Sequence, residues 1–204
     1  MPTGLTLVSM RDAIAWSYEL LDEAEKKLFR SLSVFVGGFT FESAEVICDS
    51  EDIFEGISSL VDKSLVQKRE QANGEPRFYM LMTIKEFGLE QLALESEENF
   101  IRSQHLLYFL SLAEEHCANL RGTKAAVSVD ILEDEHNNLR LALDFALEND
   151  LEKAMLLAKS LSGRRATTVV VDRLRRALIP LWVFGAVVAL FWGERLLDAY
   201  LRLF

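Results

Sequence analysis

Cysteine and proline are nearly missing from this chain, at 2 and 3 of its 204 residues. Two thiols, Cys48 and Cys117, cannot build a disulfide framework and suit a reducing compartment. With 10 glycines and so few prolines, long linkers have little sequence to occupy. Positive charge is also short: 22 Lys and Arg stand against 32 Asp and Glu, a net charge of −10. A field of that sign repels phosphate backbones and works against autonomous nucleic-acid binding. Met1 to Met10 shows neither a basic start nor an apolar stretch long enough for a signal peptide. What remains is half apolar and 26% charged, the composition of one globular domain or two small ones.

The average hides a break near residue 163. Residues 1–162 carry 15 basic and 29 acidic side chains, a net of −14, and include all eight lysines. Residues 163–204 carry 7 and 3, a net of +4, and every base there is Arg. Only this second part holds a long uncharged run, the 17 residues from Ala177 to Gly193. Each part has its own chemistry.

In the acidic body, Ala13, Ile14, Trp16, Tyr18, Leu20 and Leu21 predict a short buried helix with Trp16 in the core. Asp22 with Glu25 three residues on predicts a capping box, and Leu28, Leu32, Phe35 and Val36 supply the apolar face of the helix it starts. Gly37-Gly38 is expected to stop that helix. Thr40 caps a third helix through Cys48, and Ile53 to Asp62 reads as a fourth. The period then changes. Ser64 to Arg69 and Arg77 to Met82 read as strands around Asn73-Gly74, a strong hairpin signal, with Met80 and Met82 packed on the core. Thr83 and Glu86 predict the capped start of another helix through Leu94. Helices, a hairpin and a closing helix are the arrangement of a winged helix. Glu97 to Cys117, Ile131 to Glu148 and Leu151 to Leu161 then show apolar residues at three- and four-residue spacing. Asn149-Asp150 joins the last two so tightly that they should pack antiparallel, as in a helical repeat.

These residues carry a family resemblance. Arg11-Asp-Ala-Ile-Ala-Trp-Ser-Tyr-Glu-Leu-Leu, followed by Leu28-Phe-Arg-Ser-Leu-Ser-Val-Phe-Val-Gly-Gly-Phe-Thr, resembles the region behind the ATPase core of bacterial STAND regulators, the large AfsR-like and LuxR-like signal-transduction ATPases. Leu60-Val-Asp-Lys-Ser-Leu-Val, Arg77-Phe-Tyr-Met-Leu-Met-Thr-Ile-Lys-Glu-Phe and Glu133-Asp-Glu-His-Asn-Asn-Leu-Arg-Leu-Ala-Leu continue the likeness in the same order, over about residues 8–161. It implies a winged-helix module leading into tetratricopeptide-like helices. It also implies a protein partner, the nucleotide-binding ATPase core on which such a module packs.

The chemistry of that core is missing from the sequence. No Gly-x-x-x-x-Gly-Lys-Ser/Thr loop is present to cradle phosphates. Met80-Leu81-Met82 stands where related ATPases carry a Met-His-Asp nucleotide sensor, and it has neither the histidine nor the acid. His105, His116 and His136 form no i, i+4 pair, and they are expected on helix surfaces or half-buried rather than as metal or nucleophile sites with Cys117. Glu133-Asp134-Glu135 is expected to be a solvated helix face rather than a cation site. No catalytic, cofactor-binding or metal-ligating residue is proposed, and the chain is expected not to be an enzyme. DNA reading is disfavoured as well. The helix in the recognition position offers Asp52, Glu55 and Asp62 against Lys63, and the hairpin sets Lys68, Arg69 and Arg77 against Glu70 and Glu75.

The tail departs from the family pattern at residue 162. Its apolar run would span about 25 Å as a helix, short for a bilayer core of about 30 Å. Trp182 and Trp192 lie near its ends, and five arginines (164, 165, 173, 175 and 176) precede it, which would keep the body cytoplasmic. A membrane span, a buried or dimer-forming helix, and a junction made by gene fusion or a shifted frame all remain open. The expected fold is mainly α: a winged helix with one β-hairpin over 8–95, antiparallel helical-repeat helices over 96–161, and an Arg-rich segment with an apolar C-terminal helix over 162–204. The expected function is a non-catalytic regulatory, protein-interaction part of a STAND-type transcriptional regulator. A membrane-anchored cytoplasmic adaptor and an independent DNA-binding winged-helix factor are the second and third readings.

Overall fold

The computed structural model describes residues 10–48, 52–71, 74–120 and 123–161. The Arg-rich segment and the run Ala177–Gly193, with the three readings of that run, lie outside the described residues. Among the described residues no helix is long and apolar enough to cross a membrane.

Local sequence signals set several boundaries. Helix α1 covers Met10–Glu19 and α2 covers Glu23–Leu32. The capping box at the start of α2 forms in both directions: Glu25 N–H donates to Asp22 Oδ1 at 2.8 Å, and Asp22 N–H donates to Glu25 Oε2 at 3.0 Å. Helix α3 is Phe41–Cys48, with Ser43 N–H donating to Thr40 Oγ1 at 3.2 Å as the cap requires. Helix α4 is Ile53–Asp62, as its spacing predicts.

The hairpin is shorter than its sequence suggests. Strands β1 (Gln67–Glu70) and β2 (Pro76–Tyr79) pair antiparallel, Gln67 opposite Tyr79 and Glu70 opposite Pro76. Residues 64–66 are consumed instead by the end of α4. Ser64 takes φ +59, its N–H donates to Val61 O, and Leu65 N–H reaches back to Leu60 O at 2.9 Å. That is a Schellman closure, built here without glycine. Phe39 adds a bridge to the sheet, exchanging two 2.9 Å backbone hydrogen bonds with Phe78. Gly38, at φ +91, permits that approach, since a Cβ there would lie 2.7 Å from Phe78 O. Helix, bridge, helix, helix and hairpin in this order make a winged helix, closed by helix α5, Met82–Leu94.

Helices α6 (Glu98–Asn119), α7 (Ala125–Asp134), α8 (His136–Asn149) and α9 (Leu151–Leu161) follow. Helix α6 packs against α3 and also against α7, α8 and α9. It therefore belongs to both halves, and a continuous apolar core runs through it. Phe35 marks the crossing point, its ring 5.0 Å from Phe39 within the winged helix and 6.4 Å from Phe109 on α6.

Four expectations are corrected. Trp16 is 68% exposed and Leu20 is exposed beside it, because α1 buries the face of Ile14 and Tyr18. At 100° per residue Trp16 lies about 200° from Ile14. Helix α2 ends at Leu32, before the glycines: Ser33, Val34 and Phe35 N–H groups bond carbonyls three residues back, in tightened turns that bury Val34 and Phe35. Thr83 caps nothing; α5 starts from Leu81 without a side-chain cap, which leaves Met82 exposed on its first turn while Met80 packs on the core. The helix expected over 131–148 breaks at Glu135, whose side chain is buried.

These placements separate two aromatic residues that the sequence treats alike. Phe35→Ala should lower the unfolding free energy by about 3–5 kcal/mol, as core aromatic truncations do. Trp16→Ala should cost clearly less than that, because its side chain fills no place in the core. Urea unfolding of the two variants checks this, and equal losses would contradict the assigned face of α1.

Candidate functional site

A winged helix does its work through the helix in the recognition position and the hairpin, here α4 and β1–β2. Helix α4 turns Ile53, Ile57 and Leu60 inward. Gly56 lets α2 approach closely, since a Cβ there would meet Leu28 Cδ2 at 2.4 Å. Outward stand Asp52, Phe54, Glu55 and Asp62. The neighbouring base is already engaged, as Lys63 Nζ lies 2.5 Å from Glu25 Oε1, which Ser59 also contacts. Phe54 stacks on Phe41 with ring centroids 5.4 Å apart, yet remains largely exposed. The outer face of α4 is thus acidic and aromatic.

On the hairpin, Lys68 and Arg69 reach solvent, Arg69 lying over the Tyr79 ring at 5.0 Å. Arg77 does not. Expected as a surface base, it is 2% exposed and spends its guanidinium inside the protein. Nη1 and Nη2 make a two-pronged pair with Glu135 at 2.6 and 3.1 Å. Nε donates to Gly37 O, and Nη2 donates also to Gly38 O and Asp134 O, at 3.2–3.3 Å. Burial alone would lower the Arg77 pKa, but the hydrogen bonds and charge of Glu135 outweigh it and raise the value.

Asn138 completes the cluster. Its Nδ2 donates to Gly38 O at 3.0 Å and to Glu135 Oε2 at 2.7 Å, while its Oδ1 accepts from Val36 N–H at 2.7 Å. The sequence block around Arg77 and the block around Glu135–Asn138 are therefore each other's partners. The acid run is correspondingly split: Glu133 and Asp134 are exposed, whereas Glu135 is neither a solvated face nor a cation ligand. A periodicity argument could not find this, because Glu135 breaks the apolar spacing.

The histidines part company too. His136 is exposed, and His116 is half-buried with Nδ1 3.3 Å from Ser128 Oγ. His105 is 2% exposed, contrary to expectation, and its ring lies 4.5 Å from Phe109 and 5.6 Å from Phe35. Nε2 has no hydrogen-bond partner. Burial pushes its pKa down to about 3, against a pull from Asn138 and with help from the charges of Arg102 and Lys85. Burial likewise raises the thiol pKa of Cys48 and of Cys117, which favours the protonated thiol at both.

Beside the Arg77 cluster a cleft of about 200 Å³ opens between the hairpin and α6–α7, lined by Glu42, Gln71, Tyr108, Glu115, His116 and Asp134 among others. Its carboxylates make it inhospitable to phosphate. Among the described residues no group of three His, Cys, Asp or Glu side chains is placed to hold a metal.

Comparison with known proteins matches residues 21–93 to the winged helix-turn-helix domain family. Proteins of Mycobacterium tuberculosis and Mycobacterium bovis named "Putative HTH-type transcriptional regulator" are 33% identical over 159 residues, which is 75% of this chain and 18% of theirs. An uncharacterised M. tuberculosis protein is 29% identical over 98 residues, 45% of this chain and 25% of its own. No solved structure matches. The chain carries a winged helix-turn-helix domain, is homologous to these regulators, and spans about a fifth of their length.

The buried His105 makes a prediction for pH. Unfolded, it takes a proton near 6.5; folded, only near 3. Between those values the unfolded state binds more protons, so stability falls as pH drops below about 6.5, by up to about 1.4 kcal/mol per pH unit. His105→Leu should flatten the stability profile between about pH 6.5 and 5, above the main carboxylate range, in urea unfolding at each pH. Parallel profiles would show that His105 is not buried neutral.

Proposed function

We propose that this chain is the winged-helix and helical-repeat part of a STAND-type transcriptional regulator, a non-catalytic module that acts by docking protein rather than by reading DNA. One observation carries the reading: the outer face of α4 presents Asp52, Phe54, Glu55 and Asp62, and the nearest lysine is paired to Glu25. Groove-reading helices bring Arg, Lys, Asn or Gln to base edges and bases to phosphate. An acidic helix pays electrostatic repulsion for every phosphate it approaches, whereas an exposed phenylalanine ringed by carboxylates suits a basic, apolar protein surface. Burial of Arg77 removes a third of the hairpin's positive charge from the same face.

The STAND assignment is supported by the ordered sequence blocks, two of which meet in space at Arg77 and Glu135. In this reading the nucleotide-binding core is the docked partner, and the chain itself neither binds nor hydrolyses ATP. Homology to transcriptional regulators favours this over a membrane-anchored adaptor. It also supplies the one reason to consider DNA, since the relatives' name attaches them to transcription. Lys68 and Arg69 on β1 are then the bases that would touch phosphate, with the longer proteins free to add others elsewhere.

Fluorescence anisotropy with labelled mixed-sequence duplexes separates the two. The full chain should show no saturable binding up to about 100 µM at physiological salt, weaker than ordinary non-specific DNA binding. A sub-micromolar Kd that weakens steeply with salt would contradict the docking reading and install the hairpin as a DNA contact. ATP should leave the melting temperature unchanged, because only a ligand that binds the native state raises it.

A further inference from the structure

Helix α1 has two apolar stripes and uses one. Ile14 and Tyr18 face the core. Ala13 and Trp16 lie within about 60° of each other on the roughly opposite side, Leu20 follows directly after the helix end, and all three are exposed. A tryptophan and a leucine side by side in water are characteristic of an interface anchor rather than of a solvated helix. Asp12, Glu19 and Glu23 border this stripe, with Lys26 bridging the last two. The stripe shares no residue with the α4 face, and the inference does not rest on the function proposed above.

We infer that the stripe of Ala13, Trp16 and Leu20 is the docking site for this chain's own segment 163–204. Charge points to that occupant: the body up to residue 162 carries a net −14, the segment a net +4 made wholly with arginines. Its 17-residue uncharged run, Ala177–Gly193, is the longest apolar stretch in the chain and requires a cover. Arginine is the cation suited to this surface, because its guanidinium both pairs with carboxylates and stacks on an indole face. Reach is no obstacle. Residues 162–176 extend up to about 50 Å, well beyond the radius of a domain of this size.

Photo-crosslinking in the full chain tests this. Trp16→p-benzoylphenylalanine keeps a large aromatic group at an exposed position, and Leu20→p-benzoylphenylalanine probes the same stripe independently. Irradiation in detergent-free buffer, with and without vesicles of phosphatidylcholine and phosphatidylglycerol, should give a monomeric product in which the probe is joined to a peptide within 163–204. Adding R173E/R175E/R176E should reduce that product several-fold. A product joined to lipid would overturn the assignment in favour of a bilayer. A link between two chains, a link only to residues before 162, or no protein product from either probe would overturn it as well.

Discussion

An arginine enclosed by protein must bring its counter-charge in with it, and Arg77 is closed in between two sequence-distant halves that both supply its partners. Gly37 and Gly38 carbonyls come from the turn after α2, while Glu135 and the Asp134 carbonyl come from the junction of α7 and α8. Asn138 then ties the same turn to Glu135. Taking such a pair out of water costs so much that it adds little net stability, but removing one member strands the other. What the cluster supplies is register. It ties the hairpin, the turn after α2 and the α7–α8 junction to one another, while Phe35, His105 and Phe109 pack together between the halves.

Much of the body was legible where the signal is local. The Asp22–Glu25 box, Thr40 as a cap, and the bounds of α4 and α9 follow from neighbours within a few residues. The errors share another cause. Trp16 reads as core because the two stripes of α1 look alike in sequence, and only packing on α2 and α5 chooses between them. Thr83 lost its capping role because β2 ends at Tyr79 and the chain enters α5 two residues earlier, from Leu81. Arg77 and Glu135 read as surface charges because a residue is not marked by its partner 58 positions away. Their burial was recoverable only as a coincidence of two family-like blocks, which the sequence cannot place together.

The consequence for function is a change in what a winged helix offers. Its hairpin contributes an arginine to holding the fold, and its recognition-position helix presents carboxylates and a phenylalanine. Helix α6 packs against α3 as well as α7, α8 and α9, so the two halves share one apolar core.

A double-mutant cycle at the junction tests this account most directly. Arg77→Met and Glu135→Leu, alone and together, are compared by urea unfolding of the full chain. Each single change should cost about 3–5 kcal/mol by leaving a buried charge unpaired. The double change should cost less than the sum by at least about 1.5 kcal/mol, since both charges leave together. Additive losses, or single changes near zero, would mean that the winged helix and helices α6–α9 are held in register by something else.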